Sequence, residues 1–237
     1  MSNKEKRAVL LAGGKGTRLK PYTLTMPKPL VPIGNQPIIE IIIKQLVKFG
    51  FTHITITINH LADMIKEYCG DGSQWNVKID YSLEHKPLST MAPLKLIPDL
   101  PDNFLVMNGD VLTNLDFASF FDFHVENKNI FTVSAYERDH KVDYGVLETD
   151  ETNNLVMFKE KPVLRYKVSM GVYMVNKACL DIIPYDTFYG FDNLMLDLIA
   201  IQKPASVKVF DGYWLDIGRP EDYEKACDNF ENGEIIV

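Results

Sequence analysis

Hydrophobic and polar positions along this chain switch repeatedly between two periods. His53-Ile54-Thr55-Ile56-Thr57-Ile58 alternates residue by residue, which sets three isoleucines on one face of a strand. Ile38, Ile42, Leu46 and Phe49 recur at helical spacing instead, with Pro37 suited to a first turn and Gly50 to a stop. The same reading predicts a strand at Val9–Ala12, a helix over Leu61–Cys69 ended by Gly70, and a strand at Val77–Ser82. A short helix is expected from near Pro93, and a strand at Phe104–Met107. Strand and helix in alternation is the pattern of a parallel sheet covered on both faces.

The second half is less regular. It predicts a helix over Asp116–Asn127, a strand over Phe131–Tyr136, and a hairpin from Val146–Glu148 and Leu155–Phe158 across the polar Thr149–Asn154. Antiparallel pairing is therefore expected to enter the sheet there. A strand at Val168–Val175, a helix at Asn193–Ile201, a strand at Val207–Phe210 and a helix at Pro220–Phe230 complete the series. No repeat, low-complexity tract or linker divides the chain, so residues 1–237 are expected to form a single domain.

Composition narrows the function classes. With 237 residues, 46% of them hydrophobic, the chain can bury a sizeable core. A net charge of −7 argues against nucleic acid as the main partner. Cys69, Cys179 and Cys227 are widely spaced without a CxxC, which points to neither a disulfide framework nor a structural zinc. The polar start MSNKEKR and the lack of a long apolar run suggest no signal peptide and no membrane span, hence a cytoplasmic protein.

The first strand empties into Gly13-Gly14-Lys15-Gly16-Thr17-Arg18. A loop with so few side chains can turn several backbone N–H groups toward an anion, while Lys15, Arg18 and Lys28 bring positive charge, so the stretch suits phosphate. It is not a Walker A loop, and Leu19 occupies the place of the third glycine in the dinucleotide fingerprint. Pro27, Pro29 and Pro32 are expected to keep the chain extended and non-helical around Lys28. Ligands of an open parallel sheet gather beyond the carboxyl ends of its strands, which places the glycine loop, Glu84–Thr90 and Asp110 on one rim.

LAGGKGTRLKPYTLTMPKPLVPIG, EHKPLST, NGD, FKEKP and WLDIGRPEDY occur here in this order. Together they resemble the motifs of the sugar-1-phosphate nucleotidylyltransferases, which include mannose-1-phosphate guanylyltransferase and thymidylyl- and uridylyltransferase relatives. The resemblance covers nearly the whole chain. It implies an α/β fold, a Rossmann-like three-layer α/β/α sandwich with a mostly parallel central sheet and an antiparallel part in its second half. It also implies a nucleoside triphosphate and a sugar 1-phosphate as partners, magnesium (Mg2+) as cofactor, and a nucleotide-sugar and pyrophosphate as products. The chemistry asks for positioning and charge stabilisation more than for acid–base residues, because the attacking phosphate is already ionised.

Residue by residue, the resemblance assigns catalysis to Arg18, Lys28, Asp110, Lys161 and Asp216, with Asp110 and Asp216 as the metal ligands. Leu11, Ala12, Gly13, Gly14, Gly16 and Thr17 would cradle the nucleotide, joined by Glu84, Pro87, Thr90, Asn108 and Gly109. Gly145, Glu160 and Gly171 would meet the sugar, and Lys161 its phosphate. Asp192 and Asp197 have weaker claims, since either can simply cap or decorate the following helix. Glu84 favours GTP, because a carboxylate accepts from guanine N1–H and N2–H2 together, whereas uracil and thymine offer one N–H between acceptors.

One loop departs from the family pattern. Members commonly read PLGTAG where this chain has Pro87-Leu88-Ser89-Thr90-Met91-Ala92, so Ser89 and Met91 are expected to influence the choice of acceptor. Two alternatives remain open at this stage. One is cytidylyl or uridylyl transfer to another phosphorylated acceptor; the other is a catalytically silent nucleotide-sugar-binding subunit. A glycosyltransferase fits less well, since Asp110 is followed by Val111 and Leu112 rather than by a DxD motif. No β-helix module follows the catalytic motifs, so a homodimer would be expected to form through the catalytic domain itself.

Overall fold

The computed structural model describes residues 5–59 and 61–233. In chain order the elements begin with β1 (Arg7–Leu11), the two short strands β2 (Pro32–Ile33) and β3 (Gln36–Pro37), α1 (Ile38–Lys48) and β4 (His53–Ile58). Then come α2 (Ala62–Cys69), β5 (Lys78–Leu83), β6 (Asn103–Asn108), β7 (Val111–Thr113) and α3 (Phe117–Glu126). The second half holds β8 (Phe131–Lys141), β9 (Val146–Thr149), β10 (Leu155–Lys159) and β11 (Val163–Asn176). It closes with α4 (Phe191–Ala200), β12 (Ser206–Phe210), β13 (Trp214–Asp216) and α5 (Pro220–Glu231).

Seven strands form the central sheet in the order β12-β8-β11-β6-β1-β4-β5. All neighbours are parallel except β11, which runs antiparallel to both β6 and β8. Antiparallel pairing does enter in the second half, but through β11. The β9–β10 hairpin forms its own two-stranded sheet. Both β8 and β11 are longer than their apolar runs predict, since Val163–Ser169 pairs with Lys141–Ala135 beyond the sheet. Backbone ladders do not need apolar side chains, so hydropathy ended these strands too early.

Each face of the sheet carries a core. On one, α1, α2, α3 and α5 pack over Leu10, Ile54, Ile56, Ile58 and Met107; on the other, α4 and two 3-10 turns cover Val9, Phe104, Val106 and Tyr173. Helix α1 shows what decides its conformation. Ile38, Ile39, Ile41, Ile42 and Ile43 are β-branched and poor helix formers, yet all are buried. Each buried isoleucine contributes roughly 1.5–3 kcal/mol, more than the few tenths that helix propensity withholds.

Two local expectations change. Lys28–Leu30 is a 3-10 turn rather than extended chain, with Pro27 before it and Val31–Pro32 after it extended. Pro29 is compatible with that turn because its fixed φ is helical and its missing N–H needs no partner there. The short helix near Pro93 is likewise a 3-10 turn, Ala92–Leu96. Among the described residues no helix is long and apolar enough to cross a membrane.

Candidate active site

Strands β1, β4, β5 and β6 all end on one rim, and two cavities open there. The first, about 260 Å3, is lined by Leu11, Ala12, Gly14, Gly16, Thr17, Arg18, Lys28, Gly109 and Asp110, together with Pro29 and Gly218. Ala12 N–H donates to Thr57 O at 3.1 Å, which ties the start of the glycine loop to β4. Gly16 adopts φ +60°, and a Cβ there would stand 3.0 Å from Thr23 Cγ2 and 3.2 Å from Lys28 Cβ. The Thr23 hydroxyl donates to Gly16 O at 2.7 Å, and buried Leu19 anchors the turn that carries Arg18. The loop is therefore shaped by its own packing before any anion arrives.

Lys28 is only 8% exposed, and its Nζ donates to Asp110 Oδ2 at 2.5 Å. The other carboxylate oxygen, Oδ1, is buried without a hydrogen-bond partner among the described residues. Asp216 comes from the far end of the chain. Strand β13 pairs antiparallel with β7, opposing Asp216 to Val111, and Ile217 N–H donates to Asp110 O at 3.0 Å. Burial pushes the Asp216 carboxyl up, and the Asp110 charge adds to this, while Lys28 and Arg18 oppose it. These four groups thus share one electrostatic field.

Those residues fit a hard divalent cation. An unpartnered buried carboxylate oxygen is a costly arrangement unless something completes it, and a second carboxylate stands in the same field. Among the described residues no three His, Cys, Asp or Glu side chains converge. Two carboxylates suit a divalent cation that takes its remaining ligands from substrate phosphates.

The second cavity, about 500 Å3, shares Leu11, Gly14 and Asp110 with the first and adds Gly13, Glu84, Pro87, Thr90 and Asn108. Glu84 is 8% exposed, and burial pushes its carboxyl up to about 6 against the opposing hydrogen bond from Leu88 N–H. A Cβ on Gly13 would lie 2.7 Å from Glu84 Oε1, so the glycine makes room for this carboxylate.

The loop that departs from the family pattern is fastened to the segment before α4. Tyr189 N–H donates to Leu88 O, Met91 and Ala92 N–H both donate to Tyr189 O, and Phe191 N–H donates to Thr90 Oγ1 at 2.9 Å. Met91 is fully buried in the core under α4. Its bulk fills the interior, so the expected influence of Met91 on the acceptor is corrected: it supports the loop from behind. Ser89 does line the cavity, and it holds φ +68°, the left-handed conformation a glycine would adopt more readily.

The sugar-side residues are dispersed. Gly171 packs against the side chain of Asn108, at the rim. Gly145 packs against Phe158 and Glu160, and Glu160 and Lys161 are exposed at the end of the β9–β10 hairpin; none of these three lines either cavity. Asp197 accepts from the Tyr189 hydroxyl at 2.6 Å and Asp192 lies in the first turn of α4, so both have structural work there. Sequence reasoning passed over Thr57, Asn59 and Phe188, which line the second cavity, and Gly218, beside Arg18. The alternation around Thr57 and the WLDIG motif before Gly218 were usable signals, whereas nothing in the sequence marks Phe188.

The family profile described as nucleotidyl transferase matches residues 7–233. The chain belongs to that family. A UTP--glucose-1-phosphate uridylyltransferase from Synechocystis is 32% identical over 97% of this chain and 64% of its own. A probable mannose-1-phosphate guanylyltransferase 1 from Oryza sativa subsp. japonica is 35% identical over 92% of this chain and 62% of its own. This chain thus spans less than two thirds of the length of these curated relatives. The crystal structure of HddC from Yersinia pseudotuberculosis superposes with a TM-score of 0.73 at 30% identity, covering 95% of this chain and 99% of that one. A second HddC structure is complexed with GMP-PN.

Proposed function

We propose that this chain transfers a nucleoside monophosphate from a nucleoside triphosphate, GTP first, to a sugar 1-phosphate. Pyrophosphate leaves, and the product is an NDP-sugar for glycan or surface polysaccharide biosynthesis. One observation carries this reading: a part-buried Lys28–Asp110 pair, in which Asp110 Oδ1 is buried and unpartnered among the described residues, stands where the cavity of the glycine loop meets a larger one.

In this reading each residue has a role. Backbone N–H groups of the Gly13–Thr17 loop hold the triphosphate, and Arg18 neutralises the departing β- and γ-phosphates. Lys28 sits at the α-phosphate, fixed in place by Asp110. Asp110 and Asp216 would hold Mg2+, which supplies charge neutralisation on the phosphate oxygens when bound. Lys161 brings the acceptor phosphate for in-line attack, with Glu160, Gly145 and Gly171 meeting the sugar hydroxyls. Glu84 reads the base. We place the reaction in the cytoplasm, with the whole chain working as one catalytic unit.

GTP is favoured by Glu84 and by the guanylyltransferase among the relatives. The uridylyltransferase relative makes UTP the second reading. The test is pyrophosphate release from each NTP paired with a panel of sugar 1-phosphates. Release with GTP and Mg2+, stopped by chelation, is the expected result; no release from any pair overturns the proposal.

A further inference from the structure

Strand β4 turns two kinds of residue to its two faces. Ile54, Ile56 and Ile58 enter one core, while His53, Thr55 and Thr57 face the other side and are also buried. Along that polar row the groups find partners, with one exception. His53 meets Asp80 and Glu5, and Thr55 Oγ1 accepts from Arg7 Nε and Nη2 at 2.9 and 2.6 Å. Thr57, only 1% exposed, has its Oγ1 buried without a hydrogen-bond partner among the described residues.

This orphan lines the same cavity as Glu84. Thr57 is in register with Ser82 on β5, and Glu84, just past the end of that strand, stays beside β4 because its N–H donates to Ile58 O at 2.9 Å. A hydroxyl and a carboxylate so placed offer a donor beside an acceptor. Guanine presents the complement, with its O6 acceptor next to N1–H, and uracil presents the same edge with O4 next to N3–H. Adenine and cytosine reverse it, putting an amino group beside an unprotonated ring nitrogen that a carboxylate repels.

We propose that Thr57 is a specificity-determining residue, its Oγ1–H donating to the keto oxygen of the base whose ring N–H Glu84 accepts. The hydroxyl waits unpaired in the free protein because its partner is the nucleotide. This rests on the nucleotidylyl-transfer reading, and the experiment separates the two.

The test compares wild type, Thr57→Val and Thr57→Ser by pyrophosphate release with GTP, ITP and 6-thioguanosine triphosphate, which keeps N1–H but carries a weakly accepting sulfur in place of the keto oxygen. Valine replaces an unpartnered hydroxyl with a methyl of similar size, so the nucleotide-free Tm should hold or rise. The KM for GTP and for ITP, which both carry O6, should rise about tenfold with kcat little changed. Serine should restore it. The base lacking the keto oxygen should show no difference between variant and wild type.

A KM for GTP within twofold of wild type in Thr57→Val overturns the proposal. So does an equal loss with the base that has no keto oxygen. If wild type prefers UTP, the guanine reading fails and the same ratio is taken on UTP. If wild type releases no pyrophosphate, the transfer reading fails. The ratio is then taken on the concentration of Mg·GTP that half-saturates the rise in Tm.

Discussion

The rim around the glycine loop and the open end of the β9–β10 hairpin, where Glu160 and Lys161 follow β10, carry complementary halves of one proposed reaction, and they are built in opposite ways. On the rim, Lys28 and Glu84 are buried, the loop is held by Thr23 and Leu19, and the Lys28 ammonium is fixed by Asp110. On the hairpin, Glu160 and Lys161 are exposed and stand outside both cavities. A preorganised rim can stabilise charge on the triphosphate without rearranging, which is where most of the rate should come from. An exposed lysine can only add affinity for the second phosphate once that substrate is in place. Chemistry should therefore be sensitive to the rim and acceptor affinity to the hairpin.

The largest break in that contrast should come from Asp110→Asn. Loss of the charge removes the proposed metal ligand and leaves the buried Lys28 ammonium without its counter-ion, so kcat should fall by about 10³-fold or more. Circular dichroism should keep its native form, and a near-normal kcat would remove Asp110 from the centre. Lys161→Ala should act differently: the KM for sugar 1-phosphate should rise roughly 10- to 100-fold, the loss of a charge-assisted hydrogen bond. Tm and the KM for nucleotide should stay put, since the side chain supports no packing. A parallel rise in both KM values would erase the distinction between the two regions.

The smallest effect sharpens the rim alone. Burial holds the Glu84 carboxyl at about 6, above the ordinary carboxylate range. Because the folded protein binds this proton more readily than the unfolded chain, Glu84 favours folding at low pH. That contribution is lost as pH rises through about 6. Base reading has the opposite dependence, since only the carboxylate accepts from N1–H. Nucleotide affinity should fall about tenfold between pH 7 and pH 5. Glu84→Gln should flatten that profile, and an unchanged slope in the variant would assign the titration elsewhere.

Much of this protein was legible in the order of its residues. The alternation of His53–Ile58 marked β4, the helical spacing from Ile38 marked α1, and the abrupt change at Gly13 marked the loop that ends β1. Arg18, Lys28, Asp110 and Glu84 were named from motifs and do share one rim. Other features were hidden because they depend on where distant chain returns. A polar threonine on an alternating strand reads as solvent-facing, yet Thr57 is buried at the cavity that Glu84 and the loop after β5 also line. Met91 reads as an intruder in a substrate loop, yet the pairing of Tyr189 with that loop turns it inward.

Local sequence by itself determined the order of strands and helices and where the glycine loop falls, since backbone freedom and hydrophobic period act within a few residues. Tertiary structure alone decided which of the candidate charges meet. Asp216 joins Asp110 because β13 folds back on β7, and Lys28 is fixed because that carboxylate receives it. Electrostatic coupling depends on distance through space, and only the folded chain sets that distance.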